Sequence, residues 1–390
     1  MDPKRSRSQQ SAEIIAGNDD LLTELILLRL PARSLIKFKS VSKRWQSLIS
    51  APLFGAAHTK HHSRRRETQP SLILGTAAEP PEFFYFNPTT RVFLPYTFQH
   101  PYTKILQSSH GLLLLACRNS QFGRVHYRVH NPTTNQSKKL ENMHENKNML
   151  TWILGMSLSY DPRTSPYYKI ICTRRSPLPY SGIGFEIYHS EFDRWEHVPG
   201  GDIYRCLLGI RLSKGLSCNN DGIYWIQPTS PESYYFNIRT RHLEKLSGNY
   251  AHRRKMRPCS NKNKLLVSNG RVHCVSTYFG PKVKCLIVYE LLSDHNSGWV
   301  EKCWADLGPF LEVDEGPVGL LGIVRGEKEE YSSVLLLAPG KIICYWFLDR
   351  RFEVLCDFTS SEIYKEDDQL QFRSFRSKFS CQFIESLVPV

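Results

Sequence analysis

A turn motif that occurs twice in almost the same form is the feature that most restricts how this chain can fold. Residues 86–90 read Phe-Asn-Pro-Thr-Thr, and residues 130–134 read His-Asn-Pro-Thr-Thr. Each copy follows an aromatic-rich apolar run and precedes another short run, and Asn and Pro favour tight turns. The pattern predicts that two short strands meet at each copy, within a unit that repeats along the chain.

Looser copies of this unit continue through residues 71–390. Aromatic positions lead into a further short strand at Tyr188 before Trp195, Phe236 before Leu246, Tyr289 before Trp299, and Trp346 before Val354. A second recurring element is a glycine turn that opens an apolar strand, at Gly111, Gly222, Gly270 and Gly340. The aromatic positions recur roughly every 45 to 60 residues, a period typical of four-stranded propeller blades. We therefore predict an all-β propeller of about six blades.

The assignment of turns to strands also predicts two different faces for the propeller. If the glycine turns join the first and second strands, and the Asn-Pro-Thr-Thr turns the third and fourth, both kinds of turn lie on one face. The longer loops then lie on the opposite face, and long loops on a rigid scaffold commonly bind partners. The substrate-binding candidates in these loops are Tyr96, Phe98, Tyr102, Tyr180, Tyr278, Phe279, Arg253 and Arg254. Ordinary solvated turns are the alternative at each position.

The segment before the β region, residues 18–54, has helical apolar spacing instead. Asn18 is predicted to cap the first helix, and Pro31 to separate it from a second helix, on which apolar residues recur every three positions over residues 35–41. Ser42 is predicted to cap a third helix. Three short helices cannot bury this much apolar surface among themselves, so the rest of the chain or a partner must cover it.

The order of residues in this segment resembles a plant-type F-box. Residues 19–31 read Asp-Asp-Leu-Leu-Thr-Glu-Leu-Ile-Leu-Leu-Arg-Leu-Pro, and residues 41–49 read Val-Ser-Lys-Arg-Trp-Gln-Ser-Leu-Ile. The family usually has Leu-Pro ahead of the paired acids, where this chain has Gly17 and Asn18. Residues 71–390 are similar to the F-box-associated, kelch-like propeller of plant F-box proteins, best over Ser-Tyr-Asp-Pro-Arg at 159–163 and Tyr-Lys-Ile-Ile at 168–171.

The resemblance implies a function by association. An F-box docks a Skp-type adaptor and through it a cullin, so the chain is expected to be the non-catalytic substrate-recognition subunit of an SCF ubiquitin ligase, with an unknown protein substrate on the propeller. The residues implied to contact the adaptor are Leu21, Leu22, Ile26, Leu30, Pro31, Leu35, Val41, Trp45 and Ile49. The fold class expected is α+β multidomain, with a three-helix F-box ahead of the propeller.

We divide the chain into a disordered tail (1–17), the F-box (18–54), a basic linker (55–70) and the propeller (71–390). Lys and Arg number 51 against 37 Asp and Glu, a net charge of +14 that favours acidic partners. The alternative function is therefore a basic nucleic-acid-binding propeller with an F-box-like docking element. The basic run at 64–66 lacks the interleaved aromatic residues used for base stacking.

Other classes of protein find little support. No apolar stretch approaches the roughly 20 residues that cross a bilayer, so we expect no membrane association, and a location in the nucleus or the cytoplasm. The 11 cysteines contain no Cys-x-x-Cys pair and are expected to be unpaired core residues. No catalytic motif occurs, and no cofactor or metal site is expected. A propeller enzyme of the galactose-oxidase type would need clustered metal ligands on one face, which the sequence does not indicate.

Overall fold

The computed structural model describes residues 17–64, 70–141, 152–175, 183–198, 215–218, 222–226, 233–246, 262–268, 270–279, 284–292, 298–308, 318–324, 332–338, 340–357 and 379–390. From Asp19 onward the helical segments are α1 (Asp19–Leu25), a 3-10 turn (Leu27–Arg29), α2 (Ala32–Phe38), α3 (Lys43–Ser50) and α4 (Pro52–Arg64). The remaining elements are strands. The chain thus has helices first and an all-β region after them, as the sequence predicts.

The strands form six antiparallel four-stranded sheets, which we number as blades. Blade 1 contains β1 (Ser71–Gly75), β2 (Phe83–Asn87), β3 (Val92–Tyr96) and β24 (Phe379–Phe383); blade 2 contains β4 (Tyr102–Ser109), β5 (Leu112–Arg118), β6 (His126–Asn131) and β7 (Gln136–Lys139). Blade 3 contains β8 (Trp152–Ser159), β9 (Lys169–Arg175), β10 (Ile183–His189) and β11 (Arg194–Val198); blade 4 contains β12 (Leu216–Cys218), β13 (Gly222–Trp225), β14 (Tyr234–Asn237) and β15 (His242–Lys245). Blade 5 contains β16 (Lys262–Ser268), β17 (Arg271–Phe279), β18 (Lys284–Leu291) and β19 (Trp299–Asp306); blade 6 contains β20 (Gly319–Val324), β21 (Ser333–Ala338), β22 (Lys341–Trp346) and β23 (Phe352–Asp357).

The blades close into a ring. Their first strands are neighbours in the order β24, β4, β8, β12, β16, β20 and back to β24. Blade 1 is assembled from both ends of the propeller sequence, because β24 pairs antiparallel with β1 in a register from Ser71↔Phe383 to Gly75↔Phe379. This arrangement confirms the predicted six-bladed propeller.

The turns between third and fourth strands explain why the Asn-Pro-Thr-Thr motif recurs. In three blades the side-chain Oδ1 of an asparagine accepts hydrogen bonds from the backbone N–H groups two and three residues later, at Asn87, Asn131 and Asn237. This is the local pairing that makes asparagine a turn residue. A residue with positive φ then leads into the fourth strand in five blades: Arg91, Asn135, Asp193, Arg241 and Arg350.

One of the four glycine turns was assigned wrongly. Gly111 and Gly270 stand between first and second strands, and Gly222 begins β13, the second strand of blade 4, as predicted. Gly340 instead stands between β21 and β22, the second and third strands of blade 6, and so lies on the opposite face. A tight turn with positive φ, here +70°, fits either connection. The local sequence therefore does not distinguish the two positions.

The helical segment differs from the prediction in three places. The first helix ends at Leu25 and continues as a 3-10 turn, and α2 ends at Phe38, so Val41 does not share a helical face with Leu35. Much of the stretch predicted as a basic linker is helix α4. Its apolar signal is weak because the buried part of this helix includes the small or polar residues Gly55, Ala56, His58 and Thr59.

Two histidines attach α4 to the turn before α2. His58 Nε2 lies 2.8 Å from the carbonyl oxygen of Leu30, and His62 Nε2 lies 3.1 Å from that of Leu28. The rings of the two histidines are 4.3 Å apart, and the ring of Phe54 stacks on that of His58. Since His58 is only 1% exposed, burial lowers its pKa to about 4.

We predict that this histidine makes the fold sensitive to acid. At a pH below about 6.5, the ordinary pKa of histidine, His58 is protonated in the unfolded chain. In the folded chain it is still neutral, because its folded pKa is lower. The free energy of unfolding should therefore fall as the pH drops from about 6.5 to about 4. His130, whose pKa is also lowered to about 4 by burial, contributes in the same direction. The measurement is the urea midpoint at neutral and at mildly acidic pH.

His58→Gln should reduce this pH dependence, because glutamine keeps an N–H donor but does not titrate. The matched control is His242→Gln, at an exposed histidine of β15. If both variants lose stability with falling pH as steeply as wild type, His58 does not couple protonation to folding.

Candidate partner-binding surfaces

Three of the nine residues predicted to contact an adaptor lie inside the helical domain itself. Leu22, Leu35 and Ile49 are 2%, 0% and 1% exposed. They pack with Phe54 of α4 and with Leu387, far away in sequence. Phe54 and Leu387 thus cover the apolar surface that helices α1 to α3 cannot bury among themselves. A partner could reach the three buried side chains only if the helices rearranged.

The other six predicted residues are partly or fully accessible. Leu21, Leu30 and Trp45 are half-buried, and Trp45 meets the ring of Phe38 edge-on at 5.7 Å. The exposed members are Ile26, Pro31 and Val41, with Val41 at 60%. Two further apolar side chains that the prediction did not include are also exposed, Leu25 at 43% and Leu53 at 69%.

The helix caps are those expected from the sequence. Asn18 Oδ1 accepts from the backbone N–H groups of Asp20 and Leu21 at 2.9 and 3.1 Å. Ser42 Oγ accepts from the N–H of Trp45 at 3.1 Å. A start with Asn18 in place of proline therefore retains a capped first helix.

Residues 384–390, which we call the strap, leave β24 and run between the helical domain and the propeller. On the helical side Leu387 enters the core beside Phe54. A Cβ at Gly55 would lie 2.7 Å from the carbonyl oxygen of Leu387, so only glycine permits this approach without a backbone shift. Thr59 Oγ1 and Ser386 Oγ are 2.9 Å apart and buried.

The strap is bound equally closely to the propeller. Asn131 is fully buried, and its Nδ2 donates to the carbonyl oxygens of Ser386 and Val388 at 2.9 and 2.7 Å. The N–H of Ser386 donates to Thr133 Oγ1 at 3.1 Å. Val388 packs into the core shared by blades 2 and 3. Gly111, with φ +91°, leaves room for the strap, since a Cβ there would lie 2.6 Å from the carbonyl oxygen of Ile384.

Glu385 adds a polar contact between the two domains. Its Oε1 lies 2.7 Å from Arg33 Nε of α2 and accepts a hydrogen bond from the Tyr85 hydroxyl at 3.2 Å. The guanidinium of Arg33 lies 4.8 Å from the centre of the Tyr85 ring. Tyr85 belongs to β2 of blade 1, so the helical domain contacts blade 1 as well as blade 2.

These contacts place the helical domain on one defined face of the disc. Asn131, Thr133 and Gly111 all belong to turns between first and second or third and fourth strands, and we call their side the turn face. The end of β24 and the start of β1 must also meet the turn face, because the closing pair occupies the position of a first and second strand. The opposite side, the loop face, carries the loops between second and third strands and between blades.

The predicted substrate-binding residues of the loop face differ in how they are packed and buried. Tyr96 and Phe98 pack at the junction of blades 1 and 2: the Tyr96 hydroxyl lies 2.9 Å from His130 Nε2, and Phe98 meets Phe83 edge-on at 4.7 Å. Burial raises the pKa of Tyr96. Tyr102 and Tyr278 are half-buried. Tyr180, Arg253, Arg254 and the side chain of Phe279 lie outside the described residues.

In the described part of the chain, no group of three or more His, Cys, Asp or Glu side chains is arranged to bind a metal ion. Among the helices described, none combines the length and apolarity required to cross a bilayer. The cysteines of the same residues are free thiols, and Cys117, Cys172 and Cys274 are among the buried ones.

The comparison with known proteins agrees with the geometry. The family model of the F-box domain matches residues 19–56, which covers α1 to α3 and the start of α4. The chain therefore has an F-box domain followed by a six-bladed β-propeller, and over nearly its whole length it is similar to a plant F-box protein.

The relatives that it matches include several F-box proteins of Arabidopsis thaliana. It is 28% identical to the F-box protein At5g07610 over 422 residues, which is 98% of this chain and 94% of that protein. It is 26% identical to the putative F-box only protein 15 over 220 residues, or 53% of this chain and 52% of that protein. The chain thus spans nearly all of the first relative and about half of the second.

Solved structures match at a lower level. TolB from Acinetobacter baumannii has a TM-score of 0.37 at 10% identity, over 73% of this chain and 63% of that one. The β-propeller domain of the Trilobed protease from Pyrococcus furiosus also has a TM-score of 0.37 at 10% identity, over 75% and 81%. Similarity at this level carries no weight for fold or function.

We predict that Asn131 contributes more to stability than its counterpart Asn87 in blade 1. Asn87→Ala removes a turn contact and should lower the free energy of unfolding by about 1 kcal/mol. Asn131→Ala removes the same contact and leaves two buried carbonyl oxygens of the strap without their donor, so a loss of about 2–4 kcal/mol is expected. Urea unfolding of both variants measures the difference. Equal losses would show that the strap contributes little.

Proposed function

We propose that the chain is the substrate-recognition subunit of an SCF ubiquitin ligase. The F-box binds a Skp-type adaptor and through it a cullin, and the propeller binds the protein to be ubiquitinated. The observation that supports this most is the attachment of the F-box to the turn face through the strap. That attachment leaves the loop face, on the other side of the disc, accessible to a second protein.

The mechanism is proximity rather than bond chemistry by this chain. A substrate held on the loop face has its lysines at a high effective concentration near the ubiquitin-conjugating enzyme that the cullin recruits. A rigid connection between the two binding surfaces favours this, because a flexible one would spread the substrate over a larger volume. The buried contacts of Ser386, Leu387 and Val388 make the connection rigid.

The exposed apolar residues of the F-box are the candidates for direct contact with the adaptor. Ile26, Pro31 and Val41 are accessible without any rearrangement. Leu22, Leu35 and Ile49 are buried, so they are more suited to hold the helices together. Exposed basic residues, such as Lys37 and Lys43, surround the apolar ones and favour an adaptor with an apolar groove and an acidic rim.

The alternative, a basic nucleic-acid-binding propeller, depends on the net charge of +14. Charge alone does not distinguish an acidic protein from a nucleic acid. The described geometry adds no observation in favour of the nucleic acid.

The double variant Ile26→Asp/Val41→Asp tests the adaptor contact. Two carboxylates at exposed apolar positions should leave the fold intact and weaken adaptor binding by at least about tenfold, because a charge must then be buried without a partner. Binding is measured by co-purification with a Skp-type adaptor and by titration of the purified proteins.

The matched control is Val354→Asp, at an exposed valine of β23 that is 44% accessible. It should bind the adaptor as wild type does. Wild-type affinity in the double variant, with circular dichroism unchanged, would contradict an adaptor contact at these two residues.

A further inference from the structure

Ion pairs at the rim of the propeller join neighbouring blades on the turn face. Arg241, the residue with positive φ in the turn of blade 4, has its Nη2 2.6 and 2.7 Å from the two carboxylate oxygens of Glu196 on β11 of blade 3. Arg91 has the same place in blade 1, and its Nη2 lies 2.8 Å from Glu353 Oε1 on β23 of blade 6. In both, a turn of one blade contacts the outer strand of the blade before it.

The contact between blades 2 and 3 has the same arrangement with the charges reversed. Asp193, the positive-φ residue of blade 3, lies 2.9 Å from Lys138 Nζ on β7 of blade 2. Lys138, Glu196 and Glu353 each stand three positions after the positive-φ residue of their own blade. We call the contact between two blades a seam, and an ion pair at these two equivalent positions a rim pair.

The carboxylates of the rim pairs are held in place before the cation binds them. Each accepts a hydrogen bond from a side chain of its own blade: Asp193 from Tyr188, Glu196 from His189 and Glu353 from Trp346. Exposed ion pairs usually contribute little, in part because two long side chains must be ordered. A carboxylate that is already positioned reduces that cost, so these pairs are suited to hold a seam closed.

The seam between blades 1 and 2 has no charge at either of the equivalent positions. They are occupied by Leu94, three positions after Arg91, and by Asn135, the positive-φ residue of blade 2. Between blades 4 and 5, Gly298 offers no charge to Glu244. An unfilled rim position therefore does not by itself set the first seam apart. The contacts that cross it do.

Two consecutive residues of the strap bridge blades 1 and 2 on the turn face. Glu385 accepts a hydrogen bond from the Tyr85 hydroxyl of blade 1 at 3.2 Å. The N–H of Ser386 donates to Thr133 Oγ1 of blade 2 at 3.1 Å. The strap thus joins the same two blades that lack a rim pair, and it does so on the face where rim pairs lie elsewhere in the ring.

The F-box holds both residues of this bridge. Arg33 Nε of α2 lies 2.7 Å from Glu385 Oε1, and the Arg33 guanidinium also lies over the ring of Tyr85. Thr59 Oγ1 of α4 lies 2.9 Å from Ser386 Oγ. One helix therefore backs the contact to blade 1, and another backs the contact to blade 2.

We propose that the F-box acts as the clasp of the seam between blades 1 and 2, in the place where a rim pair joins other blades. Loosening the F-box should then open the turn-face side of this seam before that of its neighbours. The inference goes beyond the proposed function, because it requires neither an adaptor nor a substrate. It gives the F-box a structural role within the propeller in addition to partner binding.

Three buried cysteines report the opening of three seams separately. Cys117 lies in the core between blades 1 and 2, Cys172 in that between blades 2 and 3, and Cys344 in that between blades 6 and 1. All three are free thiols and at most 1% exposed. A reagent reaches such a thiol only when the structure around it opens. Labelling of the full chain with N-ethylmaleimide, read by peptide mass spectrometry, therefore measures each seam.

The variant Arg33→Ala/Thr59→Val removes both F-box contacts to the strap and nearly preserves the volume at the buried threonine. Cys117 should then be labelled about threefold faster or more, as expected for the loss of one or two hydrogen bonds. Cys172 and Cys344 should keep their wild-type rates. The control Arg29→Ala, at an exposed arginine of the F-box, should leave all three rates unchanged.

Two further variants test the comparison with the rim pairs. Arg91→Ala removes the pair between blades 6 and 1 and should accelerate the labelling of Cys344 but not of Cys117. Adding Leu94→Glu/Asn135→Arg to the F-box variant supplies the missing pair, and arginine already has positive φ at the equivalent positions 91 and 241. This addition should return Cys117 labelling toward the wild-type rate.

Wild-type labelling of Cys117 in Arg33→Ala/Thr59→Val would overturn the proposal. Equal acceleration of all three thiols would also overturn it, because the F-box would then stabilise the whole ring rather than one seam. An added rim pair that leaves Cys117 labelling fast would show that this side of the seam is not what opens. Adaptor binding, measured on the same preparations, tests the proposed function separately, since the labelling is carried out without an adaptor.

Discussion

The antiparallel pairing of β24 with β1 is the contact on which the rest of the structure depends. It joins a strand near residue 380 to one near residue 73 and completes the ring of six first strands. Without it, blade 1 would lose its first strand and the ring would have open sheet edges. The strap leaves β24 directly, so the same pairing also positions residues 384–390. Closure of the propeller and attachment of the F-box therefore depend on the same strand pairing.

The strap couples the two domains through buried polar groups as well as apolar ones. Leu387 and Val388 enter different cores, one in the F-box and one between blades 2 and 3. Just before them in sequence, Ser386 exchanges hydrogen bonds with Thr59, Thr133 and Asn131. Buried polar groups that lose their partners are costly, so this network favours one orientation over many. The orientation places the helices of the F-box and the loop face on opposite sides of the disc.

Much of this arrangement could be predicted from the sequence, and the exceptions have physical reasons. The Asn-Pro-Thr-Thr turns were found because the asparagine contacts are local. The turn at Gly340 was assigned wrongly, because a glycine turn fits either connection. Helix α4 and the strap were missed, since close backbone approach at Gly55 leaves no apolar periodicity. Leu22 and Leu35 match the F-box pattern, but burial by Leu387 depends on contacts more than 350 residues apart.

Hydrogen exchange at the strap tests the central claim most directly. In the full chain the amides of Ser386 and Val388 donate to Thr133 Oγ1 and Ser386 Oγ. If the strap holds the F-box against the turn face, both amides should exchange as slowly as those of β1 and β24 in the closing pair. Exchange at the rate of an unprotected peptide, with β1 and β24 still protected, would show that the F-box is free to move and would contradict the account.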